Sequence, residues 1–167
     1  MRRYFLIAFI LLLSTGRARS QAGSVLFQQG STRLSVGGGY GTFNDHGYGI
    51  VGLGAGYYVM NGLEAGMDGE AWLGAKPHIY TISPRLTYVL YQGEQWKPYI
   101  GGFYKRTFYD TLADLNSAGA RAGIISPLND HLYVSAGLVY ESYFHCDKAT
   151  YTDCSLVYPE LGISFAY

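Results

Sequence analysis

Beyond its first twenty residues the sequence has no apolar run long enough to cross a bilayer as a helix, which takes about 20 residues. If the protein lives in a membrane, it must cross with strands. Charge is scarce too: Asp, Glu, Lys and Arg make up 14% of the chain, where about 25% is usual for soluble domains. There is no long 3.6-residue apolar stripe, which excludes a helical bundle, and no Pro/Ser-rich linker that would divide the chain. Cysteine occurs twice, at Cys146 and Cys154, far from the N-terminus, which excludes a lipid-anchored lipoprotein. What the chain has in quantity is glycine, 23 residues, and tyrosine, 17 residues. Few charges and many tyrosines suit a surface that faces lipid and is wet only at its edges.

The N-terminus shows how such a protein would be exported. Arg2 and Arg3 precede an uncharged apolar run over 4–13 and then a polar stretch of small residues, the three regions of a secretory signal peptide. The run is too short to span as a helix. Cleavage after Ser20 or Ala22 would make 1–22 the signal and 23–167 a single-domain mature chain. Four arginines leave with the signal, so the mature chain has 8 basic residues against 12 acidic ones and a net charge of about −4. No basic patch remains to bind nucleic acid.

The mature chain reads as eight strands and little else, over 31–41, 47–59, 62–73, 78–91, 97–108, 117–126, 131–144 and 155–167. Each is close to or above the 9 to 11 residues with which a tilted strand crosses the hydrocarbon layer. The connections fall into two sets. On the side of the chain ends they are short, at 60–62, 92–95 and 128–130, and Asn61-Gly62 is a strong hairpin signal. On the opposite side lie 42–46, 74–77, 110–116 and 145–154, of which the last two are longer and the second fits the pattern poorly. Short periplasmic turns opposite longer external loops mark an outer-membrane barrel. The predicted class is therefore all-β, an eight-stranded antiparallel up-and-down transmembrane barrel.

Alternation assigns the faces. In the third strand Leu63, Ala65, Met67, Gly69, Ala71 and Leu73 share one side, opposite Glu64, Asp68 and Glu70. The fourth, seventh and eighth strands alternate as clearly, and the last ends on Leu161, Ile163, Phe165 and Tyr167, a greasy face running to the final residue. The fifth strand is apolar or glycine on both faces, so its facing stays open. Tyr57, Tyr88, Trp96, Tyr99, Phe165 and Tyr167 would belong to a periplasmic aromatic belt, and Tyr40, Tyr80, Tyr140 and Phe144 to an outer one. The polar faces collect Arg33, Glu64, Asp68, Glu70, Arg85, Arg121, Glu141 and Glu160. A barrel of eight strands is just wide enough for side chains to fill. The expected core is thus a plugged lumen crossed by an Arg/Glu network, with Gly52, Gly54, Gly56 and Gly137 making room and with Arg85→Ala opening it. The rival is a narrow porin-like channel lined by the same charges.

Other patterns carry less. Residues 47–52 match the dinucleotide fingerprint, but they lie in a strand and open no helix, so the phosphate-binding geometry is absent. Cys146 and Cys154 in the last outer loop read as a disulfide staple in an oxidising compartment. His145, Asp147 and Asp153 make a metal site there conceivable, but no metal, cofactor or catalytic residue is assigned.

The signal peptide, strand count, loop asymmetry and closing residues 162–167 make the chain resemble the small eight-stranded outer-membrane barrels of the OmpA transmembrane-domain and OmpX type. The resemblance implies a monomer in contact with outer-membrane lipid and lipopolysaccharide. It implies a non-enzymatic role that is structural or rests on an extracellular ligand at the outer loops, 109–114 and 146–154. It also implies that Tyr167, with Phe165, is the signal read by the barrel-assembly machinery. Some barrels of this size are lipid A-modifying enzymes, yet none of the four histidines gives the His-x-Ser spacing of the deacylases. A soluble lipid-binding barrel in the manner of a lipocalin would invert the faces and expose Glu64, Asp68, Glu70 and Arg85.

Overall fold

The computed structural model describes residues 26–43, 46–74, 76, 78–90, 95–110, 113–144 and 154–167. The signal segment 1–22 and, in the last outer loop, His145, Cys146, Asp147 and Asp153 lie outside the described residues. So does most of the 92–95 turn.

Eight antiparallel strands close into one barrel in sequence order. They are β1 (Thr32–Phe43), β2 (His46–Met60), β3 (Leu63–Leu73), β4 (Ile79–Val89), β5 (Lys97–Tyr109), β6 (Leu115–Pro127), β7 (Leu132–Tyr143) and β8 (Ser155–Ala166). The expected strands match these bounds within two residues. Going round the barrel from Arg33, the successive partners are Gly56, Gly66, Arg85, Phe103, Gly119, Glu141 and Leu156. The β8–β1 register then returns from Leu156 to position 43, ten residues up β1. With a rise of about 3.3 Å per residue and strands about 4.8 Å apart, that stagger tilts the strands by about 40°. An 11-residue strand such as β3 then rises about 28 Å along the axis, enough for the apolar band of about 25 Å that such barrels present to lipid.

The faces separate as alternation predicts. Leu34, Val36, Val51, Leu53, Met67, Ile82, Leu86, Leu138, Leu161 and Ile163 point outward and are exposed. Glu64, Arg85, Lys105 and Glu141 point inward and are buried. The inverted arrangement that a soluble lipid-binding barrel requires is not the one adopted. The fifth strand also has a definite facing. Lys97, Tyr99, Phe103, Lys105 and Thr107 are buried, and Ile100, Tyr104 and Phe108 face out.

That facing corrects one expectation. Tyr99 is a lumen residue and not part of an aromatic belt, whereas Tyr57, Tyr88, Trp96, Phe165 and Tyr167 are exposed at the rim of the chain ends and Tyr80, Tyr140 and Phe144 toward the other. The side chain of Tyr40 lies outside the description.

The rim that carries the chain ends is closed by residues that precede β1. Leu26 and Phe27 are buried with Tyr58, Val89, Tyr99, Ile125, Tyr133 and Ala166 in one apolar cluster. Phe27 meets the Tyr58 ring edge-on at 5.9 Å and the Tyr133 ring at 5.3 Å between centroids. Backbone bonds hold the segment there: Gly62 N–H donates to the Phe27 carbonyl, and Gly30 N–H to that of Tyr58. Gly62 sits at φ 80° in the Asn61-Gly62 turn, a conformation that glycine adopts without steric cost.

Glycines inside the wall set how wide the inward side chains can be. A Cβ at Gly123 would collide with the carbonyl oxygen of Ala136, the Cα of Gly137 and the Tyr99 ring. Because two of those neighbours are backbone and cannot swing away, Gly123→Ala is expected to cost about 3 kcal/mol, the upper end of overpacking penalties. Urea unfolding followed on detergent gels would measure it; a loss below about 0.5 kcal/mol would show that the wall yields.

Candidate functional site

The lumen holds the concentrated chemistry of the molecule. Glu64 on β3 lies between two arginines, with Arg33 Nε donating to its Oε1 at 2.9 Å and Arg85 Nη2 donating to the same oxygen at 2.8 Å. Arg85 also reaches Asp68 Oδ2 at 2.8 Å. Asp68 lies 3.8 Å from Arg33 and 3.6 Å from Arg121, and Arg121 lies 3.4 Å from Glu160. The side chains of Arg85 and Glu64 are each only 2% exposed, so this is a desolvated layer. Ions so placed are tolerable only because each has an opposite partner.

Space for the layer comes from glycine. A Cβ at Gly54 would strike Asp68 and Ser35, one at Gly56 would strike Glu64, and one at Gly137 would strike the Tyr99 hydroxyl. Gly52 differs, since its Cβ would meet only ordinary contacts at 3.6 to 3.8 Å. Three of the four glycines expected to make room are therefore required to do so. Tyr99, lying over Gly137, donates its hydroxyl proton to Glu160 and ties the layer to the apolar cluster below.

All eight expected charges face the lumen, but they do not form one network. Arg33, Glu64, Asp68, Arg85, Arg121 and Glu160 are connected. Glu141 belongs to a separate cluster nearer the other rim, where it accepts bonds from Lys105 Nζ at 3.0 Å, Ser117 Oγ at 2.6 Å and the Tyr158 hydroxyl at 2.8 Å. Phe103 stands between the two clusters, with Arg121 5.1 Å and Lys105 5.5 Å from its ring centre. Glu70 stands apart, accepting from Thr81 Oγ1 at 3.3 Å with no ion pair among the described residues.

Sequence reasoning missed Lys105, because the facing of its strand was open. It also missed Leu26 and Phe27, whose only signal is the apolar run Val25-Leu26-Phe27 in the otherwise polar lead before β1.

The lumen is not filled throughout. A cavity of about 670 Å³ remains, whose lining runs from Val89, Tyr99, Ile125 and Tyr133 of the apolar cluster past the charge layer to Trp72, Thr107, Tyr109, Tyr143 and Leu156 toward the loop-bearing rim. Among the described residues, the Leu26/Phe27 cluster covers the rim of the chain ends. At the other rim, His78 Nδ1 lies 2.8 Å from Asp110 Oδ2, and Arg106 pairs with Asp114 at 2.8 Å; all four side chains are exposed. Phe165 and Tyr167 lie on the outer wall.

A closed eight-stranded antiparallel barrel with an apolar outer wall and a charged core has the fold of the small outer-membrane barrels. No protein-family model matches the sequence, and no curated protein matches it. Among solved structures, the N-terminal β-barrel domain of Pseudomonas aeruginosa OprF matches with a TM-score of 0.65 at 15% identity, covering 83% of this chain and 98% of that one. Neisserial surface protein A (NspA) matches with a TM-score of 0.56 at 15% identity, covering 81% of this chain and 94% of that one. At such identities the likeness is one of fold.

Proposed function

We propose that the protein is an integral, monomeric, non-enzymatic barrel of the bacterial outer membrane whose lumen passes no solute from rim to rim. It acts structurally or through its outer loops. The observation that carries this reading is the double closure of the lumen: the Leu26/Phe27 apolar cluster covers one rim, and the paired Arg33–Glu64–Arg85–Asp68 layer lies directly above it. The exposed apolar wall supports burial in lipid, and the fold shared with OprF and NspA supports the outer membrane as its place.

Several partners belong to this reading. A signal ending at Ser20 or Ala22 exports the chain, and Phe165 and Tyr167 are read by the barrel-assembly machinery. Lipid and lipopolysaccharide surround the wall, and an extracellular ligand meets the loops, the last stapled by Cys146 and Cys154.

Two measurements test it. The protein should fractionate with the outer membrane and shift its gel mobility on boiling. In planar bilayers the purified protein should give no stable single-channel steps; regular steps from the unaltered protein would replace the plug with the channel reading.

A further inference from the structure

The lumen cavity carries one negative charge too many. Among the described residues that line it are four cations, Arg33, Arg85, Arg121 and Lys105, against five carboxylates. Every one of these cations and four of the carboxylates are joined in the ion pairs described above. Glu70 is the fifth carboxylate, and among the described residues its partner is the Thr81 hydroxyl at 3.3 Å. Lys97, the other inward cation of β5, is the first residue of that strand and outside the lining. A carboxylate withdrawn from bulk water is stabilised by an opposite charge or by several donors, and Glu70 has neither.

The register explains why Glu70 stands alone. Its neighbours round the barrel at the same level are Gly52 and Gly37 on one side and Thr81 and Thr107 on the other, all short and uncharged. One level nearer the loops, Gly39, Ile50, Trp72 and Ile79 follow one another in the same way. The glycines here do not relieve a clash, as Gly54, Gly56 and Gly137 do. A Cβ on Gly39 would meet nothing within 4 Å, one on Gly37 only the Leu161 carbonyl oxygen at 3.9 Å, and one on Gly52 only ordinary contacts. They leave unfilled space in the lumen beside the carboxylate. Trp72, two residues beyond Glu70 on the same face of β3, lines the same cavity, and its indole N–H is buried with no acceptor among the described residues.

From the missing charge and the unfilled space beside it we infer a binding site for one small organic monocation, its ammonium head on Glu70 and its body over Gly37, Gly39 and Gly52 against the Trp72 ring. An ammonium donates charge-assisted bonds to a carboxylate, and an indole face attracts the same charge. Hard metal cations want about six or more oxygens around them, and the two glycines beside Glu70 supply no side-chain oxygen. A cavity of about 670 Å³ is within the usual range for small-molecule sites. With the Leu26/Phe27 cluster over the other rim, the ligand enters from the loop-bearing one. The site adds a binding function to the barrel and requires no passage through it.

The probe is 2-phenylethylamine, titrated into the folded Trp96→Phe protein in a non-ionic detergent, where Trp72 is the remaining tryptophan. Trp72 emission should change saturably. The uncharged 2-phenylethanol and the anionic 3-phenylpropionate should bind about tenfold more weakly, and Glu70→Gln should weaken the amine to the same degree while keeping the heat-modifiable band. Gly39→Leu, which puts a side chain into the unfilled space, should weaken it too, and it carries the test if Glu70→Gln fails to fold. No saturable change below about 10 mM amine, or equal affinity for amine and alcohol, would overturn the site. An amine affinity left unaltered by Glu70→Gln or by Gly39→Leu would put the ligand elsewhere and overturn it as well. A Trp72 response to potassium chloride of the same size and midpoint would mean that an inorganic cation fills the place and would overturn the organic class. Because binding is read in detergent, single-channel steps in a bilayer would fail the closed-lumen reading and not this one.

Discussion

Arg85→Ala is expected to lower the unfolding free energy by about 3–5 kcal/mol, the usual cost of removing one partner from a buried ion pair. Arg85 is the cation shared by Glu64 and Asp68, at 2.8 Å from each. Its removal leaves Arg33 as the one cation in contact with Glu64 and leaves Asp68 with Arg33 and Arg121, both beyond 3.5 Å. Glu64→Gln added to Arg85→Ala should recover part of the loss, because one of the two stranded carboxylates is then neutral. The urea midpoint of the folded, unboiled band would measure both. A loss under about 1 kcal/mol, of the size seen for exposed pairs, would mean that water solvates the layer and that it is not a dry seal.

Phe27→Ala should cost a similar amount, about 3–5 kcal/mol, the range for truncating a large aromatic in a core. Phe27 is fully buried, and its two ring partners, Tyr58 and Tyr133, are buried as well. Phe27→Leu should keep most of the stability, since it keeps most of the volume. The sequence alone pointed to Arg85→Ala as sufficient to open the lumen. With an apolar cover beneath the charge layer, the two closures act in series, so each single variant should stay silent in a planar bilayer and the double variant should conduct. Conduction by Phe27→Ala alone would show that the charge layer passes ions.

The strands, their order and most of their facing were legible because a strand with one apolar and one polar face must alternate, and β3, β4, β7 and β8 do so over most of their length, the inward apolar residues such as Trp72, Ile79, Val89, Tyr133 and Val139 falling toward the strand ends or between polar ones. β5 was not legible. Its inward Tyr99 and Phe103 are as apolar as its outward Ile100 and Phe108, and only the closed barrel tells which row faces the charges. The charge layer was legible as a set of residues but not as two clusters, because the partition depends on stagger. The ten-residue offset round the barrel brings Arg33 to Glu64 while it carries Glu141 to Lys105. The cover over the terminal rim was not legible at all, since Leu26 and Phe27 belong to no periodic segment and find their place through the Asn61-Gly62 turn and the rings of Tyr58 and Tyr133. Neither was the shortness of the β1–β8 seam, four register pairs against nine to twelve in the others, which depends on how the first and last strands meet.

That meeting has a consequence for assembly. Leu26 and Phe27 come from the start of the described chain, whereas Tyr133 and Ala166, which enclose them, come from its last two strands. Thr32 is joined to Tyr167, the residue that follows β8. The cover therefore cannot be seated until β7 and β8 have been formed and the barrel has curled round on itself. A barrel interrupted partway would have every finished hairpin in place and still leak, so watertightness at this rim reports completion.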